Sequence, residues 1–385
     1  MPLPSARAND IPISGIREMA ALAAATPDVL RLEIGDPDAM TPAHVTEAAF
    51  RWASANRVSY PPNAGIPDLR AAIADKVTRI NRLPCEVGHV NVTVGGTGAI
   101  YLALLATIEP GDEVLVPDPG WAGYPAMVAL AGGRLVPYRL DRSRGFALDP
   151  AALRAAITQR SRAILVNSPG NPTGGVFGRD ALQDVLDIAR EHDLWIIADD
   201  CYDQILMSGS HVSIGALEPV AETRVLSAFS FSKTYAMTGW RIGYLIAPPE
   251  ISAHVTRMQS AAVSSTSAVA QMAALAALRG DDSHLTGMLG NLRRRRDAVC
   301  AQLTAGGVPV VVPDGAMFAF ADISASGMTS RDFAMGLLRE RAVCTTPGDA
   351  FGAGGEGFVR LSLACPDETL TEGVSRLLAF AGQRG

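Results

Sequence analysis

Val90-Asn-Val-Thr-Val-Gly-Gly-Thr-Gly-Ala-Ile-Tyr-Leu-Ala-Leu-Leu-Ala-Thr-Ile108 holds a strand, a glycine turn and a helix in succession. Its opening residues are mostly β-branched, and its closing run is alanine- and leucine-rich. The glycines between them free the backbone to turn. Working outward, the same alternation recurs. Asp112–Pro117 reads as a strand, a helix comes next near 124–131, and Arg134–Tyr138 is a strand again. Arg162–Asn167, Leu194–Asp199, Thr223–Ser227 and Arg241–Ile246 continue the series. Short apolar strands separated by helices predict an α/β fold with a mostly parallel sheet covered on both faces.

Past residue 250 the pattern changes. An alanine-rich helical region (251–279) leads through Gly280-Asp-Asp-Ser283 into a basic helical stretch, Asn291–Leu303, and then to strands near 308–312, 316–321 and 358–363. The expected organisation is an N-terminal arm that shares in the small domain (1–45), a large domain (46–283) and a small C-terminal α/β domain (284–385).

At 385 residues the chain is long for one core, which also points to two domains. A net charge of −6 argues against a nucleic-acid binder. The basic run Arg293–Arg296 lies within a helical pattern and reads as a solvated face. The five cysteines are scattered, with no CxxC pair, so neither a disulfide framework nor a zinc or other metal site is expected. No continuous apolar segment marks a secretory signal or a membrane span, and the expected location is the cytoplasm.

Only two lysines occur, Lys76 and Lys233. Lys76, in Leu69–Ile80, reads as the solvated face of an amphipathic helix. Lys233 is set among hydroxyls and ahead of an arginine in Ala228-Phe-Ser-Phe-Ser-Lys-Thr-Tyr-Ala-Met-Thr-Gly-Trp-Arg-Ile-Gly-Tyr244. An amine can lose its proton and attack a carbonyl, which a guanidinium cannot. The turn Gly95-Gly-Thr-Gly98 opens a helix, where free N–H groups favour an anion, although glycine at such a turn is often plain turn chemistry. Asn167-Ser-Pro-Gly-Asn-Pro-Thr-Gly174 and Asp199-Asp-Cys-Tyr202 stand after strands, at the rim where open α/β sheets place ligands. A strand-ending Asp can equally be a helix cap.

Ser-Phe-Ser-Lys-Thr…Gly-Trp-Arg-Ile-Gly-Tyr, Asn-Pro-Thr-Gly and Asp-x-x-Tyr, in this order, resemble the class I/II aminotransferases, pyridoxal 5′-phosphate (PLP) enzymes of fold type I. Matching segments run from Leu32–Asp38 to Phe358–Ala364, essentially the whole chain. The resemblance implies a large domain with a seven-stranded, mostly parallel sheet and a smaller α/β C-terminal domain. It implies that Lys233 forms the internal aldimine and then shuttles a proton. Asp199 pairs with the pyridine nitrogen, Tyr202 and Asn171 bond the ring's O3′, and Trp121, in Pro119-Gly-Trp-Ala-Gly-Tyr124, stacks on the ring. Gly96, Thr97, Gly98, Ser230, Ser232 and Arg241 hold the phosphate, with Tyr60 reaching it from the partner of a homodimer. Arg360 grips the substrate carboxylate, beside Gly35 and Asn171.

Three positions depart from the family pattern: Asp200 replaces a common Glu, Ala39-Met40 a frequent aromatic, and Gly98 a larger polar residue. No Arg or Lys lies between Arg257 and Arg279, and Thr97 stands where some relatives carry a lysine. Both features lean towards a neutral aliphatic or aromatic donor and a 2-oxo acid acceptor in a ping-pong reaction, although an arginine elsewhere, such as Arg17, could serve a distal carboxylate. Lyase, decarboxylase or cyclising chemistry on the same fold, and a non-catalytic PLP-binding module, are the competing expectations.

Overall fold

In the computed structural model, the alternating segments between residues 90 and 246 assemble into one seven-stranded sheet. The structure describes residues 2–5, 8–9, 11–220 and 222–383; residues 1, 6, 7 and 10 of the expected arm, 221 and 384–385 lie outside these. After a short β1 (Leu30–Arg31), the sheet is built from β2 (Val90–Thr93), β3 (Glu113–Asp118), β4 (Arg134–Arg139), β5 (Ser161–Asn167), β6 (Trp195–Asp199), β7 (Val225–Ser230) and β8 (Gly243–Ile246). Their order is β2-β8-β7-β6-β5-β3-β4, and β8 alone runs against its neighbours.

Side-chain alternation divides each central strand between two apolar layers. Ile164, Val166, Ile196 and Ala198 pack on one face with Leu182, Val185, Leu186 and Ala189 of the helix Arg179–Glu191. Ala163, Leu165, Ile197, Leu226 and Ala228 pack on the other, under the helix Gly95–Thr107 and Val255 of the helix Pro249–Val263. Because both faces are covered, these strands read as continuous apolar runs.

The C-terminal segments form a four-stranded sheet, β12-β13-β10-β9, from β9 (Val310–Val311), β10 (Phe318–Asp322), β12 (Thr346–Pro347) and β13 (Phe358–Ser362). β1 pairs in parallel with β11 (Val343–Cys344), and Met19, Ala23 and Leu32 share a core with Phe318, Phe333 and Phe380. The N-terminal segment is thereby packed onto this second sheet.

Three expectations are corrected. The alanine-rich region is two helices, Pro249–Val263 and Ala268–Arg279. They are broken at Ser264, whose φ of 62° leaves the helical region, within a hydroxyl-rich Ser-Ser-Thr-Ser run. Lys76 is buried, not solvated: the helix Pro67–Arg79 turns Leu69, Ile73, Lys76 and Val77 inward, and the ammonium ion-pairs with Asp203. Arg295 is also buried, bridging Asp38 and Asp367 at 2.8 Å each, and Arg293 donates to the Met207 carbonyl at 3.1 Å. The helix Ser283–Ala305 therefore uses part of its basic run as mortar between segments. Among the described residues, no helix is long and apolar enough to cross a membrane, and no cluster of three or more His, Cys, Asp or Glu could hold a metal.

Candidate active site

The carboxyl ends of β2, β3, β5, β6 and β7 converge on a cavity of about 670 Å³ that reaches the second sheet at Phe318 and Arg360. Gly35, Gly96, Thr97, Trp121, Asn171, Asp199, Tyr202, Ser230, Ser232, Lys233, Arg241 and Arg360 all line it. These residues span more than three hundred positions of sequence, and the sheet brings them together.

One end is shaped for an anion. The helix Gly95–Thr107 starts here, so its first N–H groups have no partner within the helix. Gly95 has φ +71°, and a Cβ on it would stand 2.6 Å from an Arg241 guanidinium nitrogen. A Cβ on Gly96 would stand 2.5 Å from the Cys201 sulfur and 3.2 Å from Ser230. Only glycine leaves this floor open. Ser230 accepts the Ser232 N–H (3.1 Å), and Arg241 donates to the Thr238 carbonyl (2.8 Å).

The cavity also carries a buried carboxylate. Asp199 accepts the Tyr124 hydroxyl on Oδ2 (2.6 Å) and the Cys201 N–H on Oδ1 (3.2 Å). Burial pushes its pKa up, opposed by the hydrogen bonds from Cys201 and Tyr124. A cationic partner would relieve that burial cost. Beside it, burial also raises the Tyr202 phenol, whose ring meets Phe318 edge-on at 6.0 Å.

Lys233 also lines the cavity. Its Nζ donates to the Gly35 carbonyl (2.6 Å) and lies 3.7 Å from an Asp36 carboxylate oxygen. Burial holds the amine below the usual lysine range, with Asp36 pulling the other way. Arg360 is buried, with its guanidinium 4.2 Å from the Phe318 ring centroid and 5.0 Å from that of Phe351. It donates to Asn171 Oδ1 (2.9 Å) and the Glu33 carbonyl (2.6 Å), while its Nε has no partner. Burial lowers its pKa to about 10, partly offset by Tyr202 and Glu33. An unsatisfied buried guanidinium N–H favours an incoming carboxylate.

Two expected residues lie outside the cavity lining. Gly98 does so because it is further into the helix, where a Cβ would meet only Val94 and Thr93 at ordinary contact distance. Tyr60 is 87% exposed and does not face the cavity of its own chain. Sequence reading gives no role to Tyr124, three positions beyond Trp121; Asn167, which it places at the ligand rim without a role, donates from Nδ2 to the Asp199 carbonyl at 3.1 Å. Sequence reading overlooks Phe318, whose strand carries no polar signal.

The donor set suits a ligand that offers a phosphate to the glycine floor, a basic ring nitrogen to Asp199 and a carbonyl to the Lys233 amine. Together the fold and site define a fold type I transferase. The family model for aminotransferase class I and II matches residues 27–377, and the chain belongs to that family. It is 37% identical to an aspartate aminotransferase of Pyrococcus abyssi, over 94% of both chains. With an aspartate/prephenate aminotransferase of Cereibacter sphaeroides it shares 40% identity, over 93% of this chain and 92% of that one. The solved structure of Thermus thermophilus aspartate aminotransferase with maleate superposes with a TM-score of 0.94 at 36% identity, covering 99% of this chain and all of the other. The protein is an aminotransferase.

Proposed function

We propose that this aminotransferase depends on PLP and moves the amino group of a neutral aliphatic or aromatic L-amino acid to a 2-oxo acid such as 2-oxoglutarate or pyruvate, in ping-pong half-reactions. The observation that carries the reading is Lys233, a largely enclosed amine whose pKa is lowered, lining the same cavity as the glycine-floored anion cradle and the Asp199 carboxylate. When bound, PLP supplies a carbonyl for amines and a ring that takes up electron density from the substrate Cα.

The residues supply the rest. Gly96, Thr97, Ser230, Ser232 and Arg241 bind the phosphate; Gly98 contributes from the helix behind them. Asp199 holds a proton on the ring nitrogen, and Tyr124 orients that carboxylate. Tyr202 and Asn171 donate to the ring oxygen, and Trp121 packs on the ring face. Lys233 carries the proton to and from the substrate Cα. Arg360 clamps the α-carboxylate beside Gly35. Tyr60, turned outward with Met40 and Val263 also exposed, suits a homodimer in which it reaches the partner's phosphate. We divide the chain at about residue 283, where the helix that packs on the second sheet begins.

Arg17 favours a second reading. It lines the cavity from the helix Gly15–Ala24, and its side chain makes no ion pair or hydrogen bond among the described residues. A cation there would suit a dicarboxylic substrate, in keeping with the aspartate named for the relatives. Mixing the purified protein with a panel of amino acids tests both readings. Loss of the cofactor's yellow absorbance with release of a 2-oxo acid supports transamination, whereas release of ammonia or thiol means a lyase. A response to aspartate and glutamate alone would favour the Arg17 reading.

A further inference from the structure

The segment Asp199-Asp-Cys-Tyr-Asp203 has two faces. Asp199, Cys201 and Tyr202 line the cavity; Asp200 and Asp203 do not. Both of the latter are buried all the same. Asp203 ion-pairs with Lys76 and accepts the Asn81 amide at 2.9 Å, while Lys76 also donates to Asn81 Oδ1 at 2.9 Å. The ammonium stands 5.0 Å from the Phe229 ring centroid. Asp200 accepts the Ser213 hydroxyl and faces His211 Nε2 at 3.4 Å.

We infer that Lys76 and His211 are positioning residues for the reaction: acting through Asp203 and Asp200, they pin this segment from behind and so set where Tyr202 and Asp199 meet the cofactor. The inference rests on the PLP reading above.

Three observations carry it. The segment is a turn beyond the end of β6, so the sheet holds it only as far as the Asp200 N–H and leaves residues 201–203 outside the ladder. Its backbone bonds are sparse: Asp200 N–H to the Ala228 carbonyl (2.9 Å), Asp203 N–H to the Asp200 carbonyl (3.1 Å) and Ile205 N–H to the Tyr202 carbonyl (2.8 Å). The anchors lie at the residues next to the two cavity groups, so a small slip at Asp203 or Asp200 moves Tyr202 or Asp199 directly. A buried ion pair is moreover a poor source of stability, since apolar replacement of both partners is often neutral or stabilising. What it can do well is fix one arrangement, because leaving either charge unpaired is costly.

A purely structural role and a positioning role part company in the double variant Lys76→Met/Asp203→Leu, which fills the same volume without charge. The readouts are thermal midpoint, the pH midpoint of the bound cofactor's absorbance, and kcat against KM on the holoenzyme. A tyrosine O–H donated to the ring oxygen favours its anionic form, so a displaced Tyr202 raises the absorbance midpoint. The double variant strands the Asn81 amide, so it is expected to stay folded with a modestly lowered thermal midpoint, to raise the absorbance midpoint by at least ~0.5 unit, and to lose about tenfold or more in kcat with little change in KM. His211→Gln, which leaves Ser213 on Asp200, is expected to act more weakly on kcat, and it decides the question if the double variant fails to fold. A folded double variant with wild-type absorbance midpoint and kcat overturns the inference, as does an unchanged His211→Gln where the double variant is lost. A wild-type protein that binds no cofactor would instead overturn the PLP reading.

Discussion

Lys76 and Lys233 are both withdrawn from water, yet their surroundings prepare them for opposite tasks. Around Lys76, a carboxylate, an amide oxygen and an aromatic face meet the ammonium at once. Around Lys233, the direct partner is a neutral carbonyl, and the nearest carboxylate is 3.7 Å away and largely exposed. Burial with full pairing holds a lysine side chain in one place. Burial with incomplete pairing lowers its pKa and leaves the amine available as a nucleophile. The contrast lies in the partners, since both side chains are largely enclosed.

The largest expected difference between the two is in turnover. Lys233→Ala should abolish transamination while the protein still folds, and steady-state assays with circular dichroism check both points. Substantial remaining activity would mean that the amine is not the nucleophile.

Stability should show the reverse. Lys76→Met alone strands the Asp203 carboxylate and should cost about 3–5 kcal/mol of unfolding free energy. Lys233→Met should cost far less, because it removes a poorly paired charge. Denaturant titration of both variants makes the comparison, and equal losses would erase the distinction.

Asp199→Asn should leave the cofactor bound but cost roughly 3 kcal/mol in transition-state stabilisation, since a neutral amide no longer holds a proton on the ring nitrogen. Turnover near the wild-type rate would reduce Asp199 to an end-of-strand cap.

The smallest expected effect is a slope with pH. In the apoenzyme, the lowered pKa of Lys233 means that the unfolded chain holds its proton more tightly. Stability linked to this group is therefore present above the unfolded value, ~10.4, and is lost as pH falls through the lowered folded value. Apo Lys233→Met should lack that component between those two limits. Identical pH–stability curves for the two apoproteins would show that the amine is not perturbed.

Much of this is legible in the sequence. The strands of the central sheet come from their apolar runs, Lys233, Asp199 and Asn171 from motifs that follow strands, and Arg360, in the middle of β13, from the family resemblance alone. The fate of Lys76 is not legible. Its charge reads as solvated although the helix turns it inward with Ile73 and Val77, because its partner lies 127 positions away and only the tertiary fold brings Asp203 to it. Arg295 escapes sequence reading for the same reason, with Asp38 and Asp367 supplied by distant segments. Adjacency groups Gly98 with Gly96, although the helix turns one into the floor and the other towards Val94. Tyr124 is hidden because a tyrosine that orients a carboxylate has the same local sequence as one in the core.

Reduction with borohydride and then peptide mapping tests the central claim most directly. The protein as purified should carry the reduced cofactor on the peptide containing Lys233, and the Lys76 peptide should be unmodified. A label on Lys76, or none on either lysine, would contradict the assignment of Lys233 as the amine that engages the cofactor.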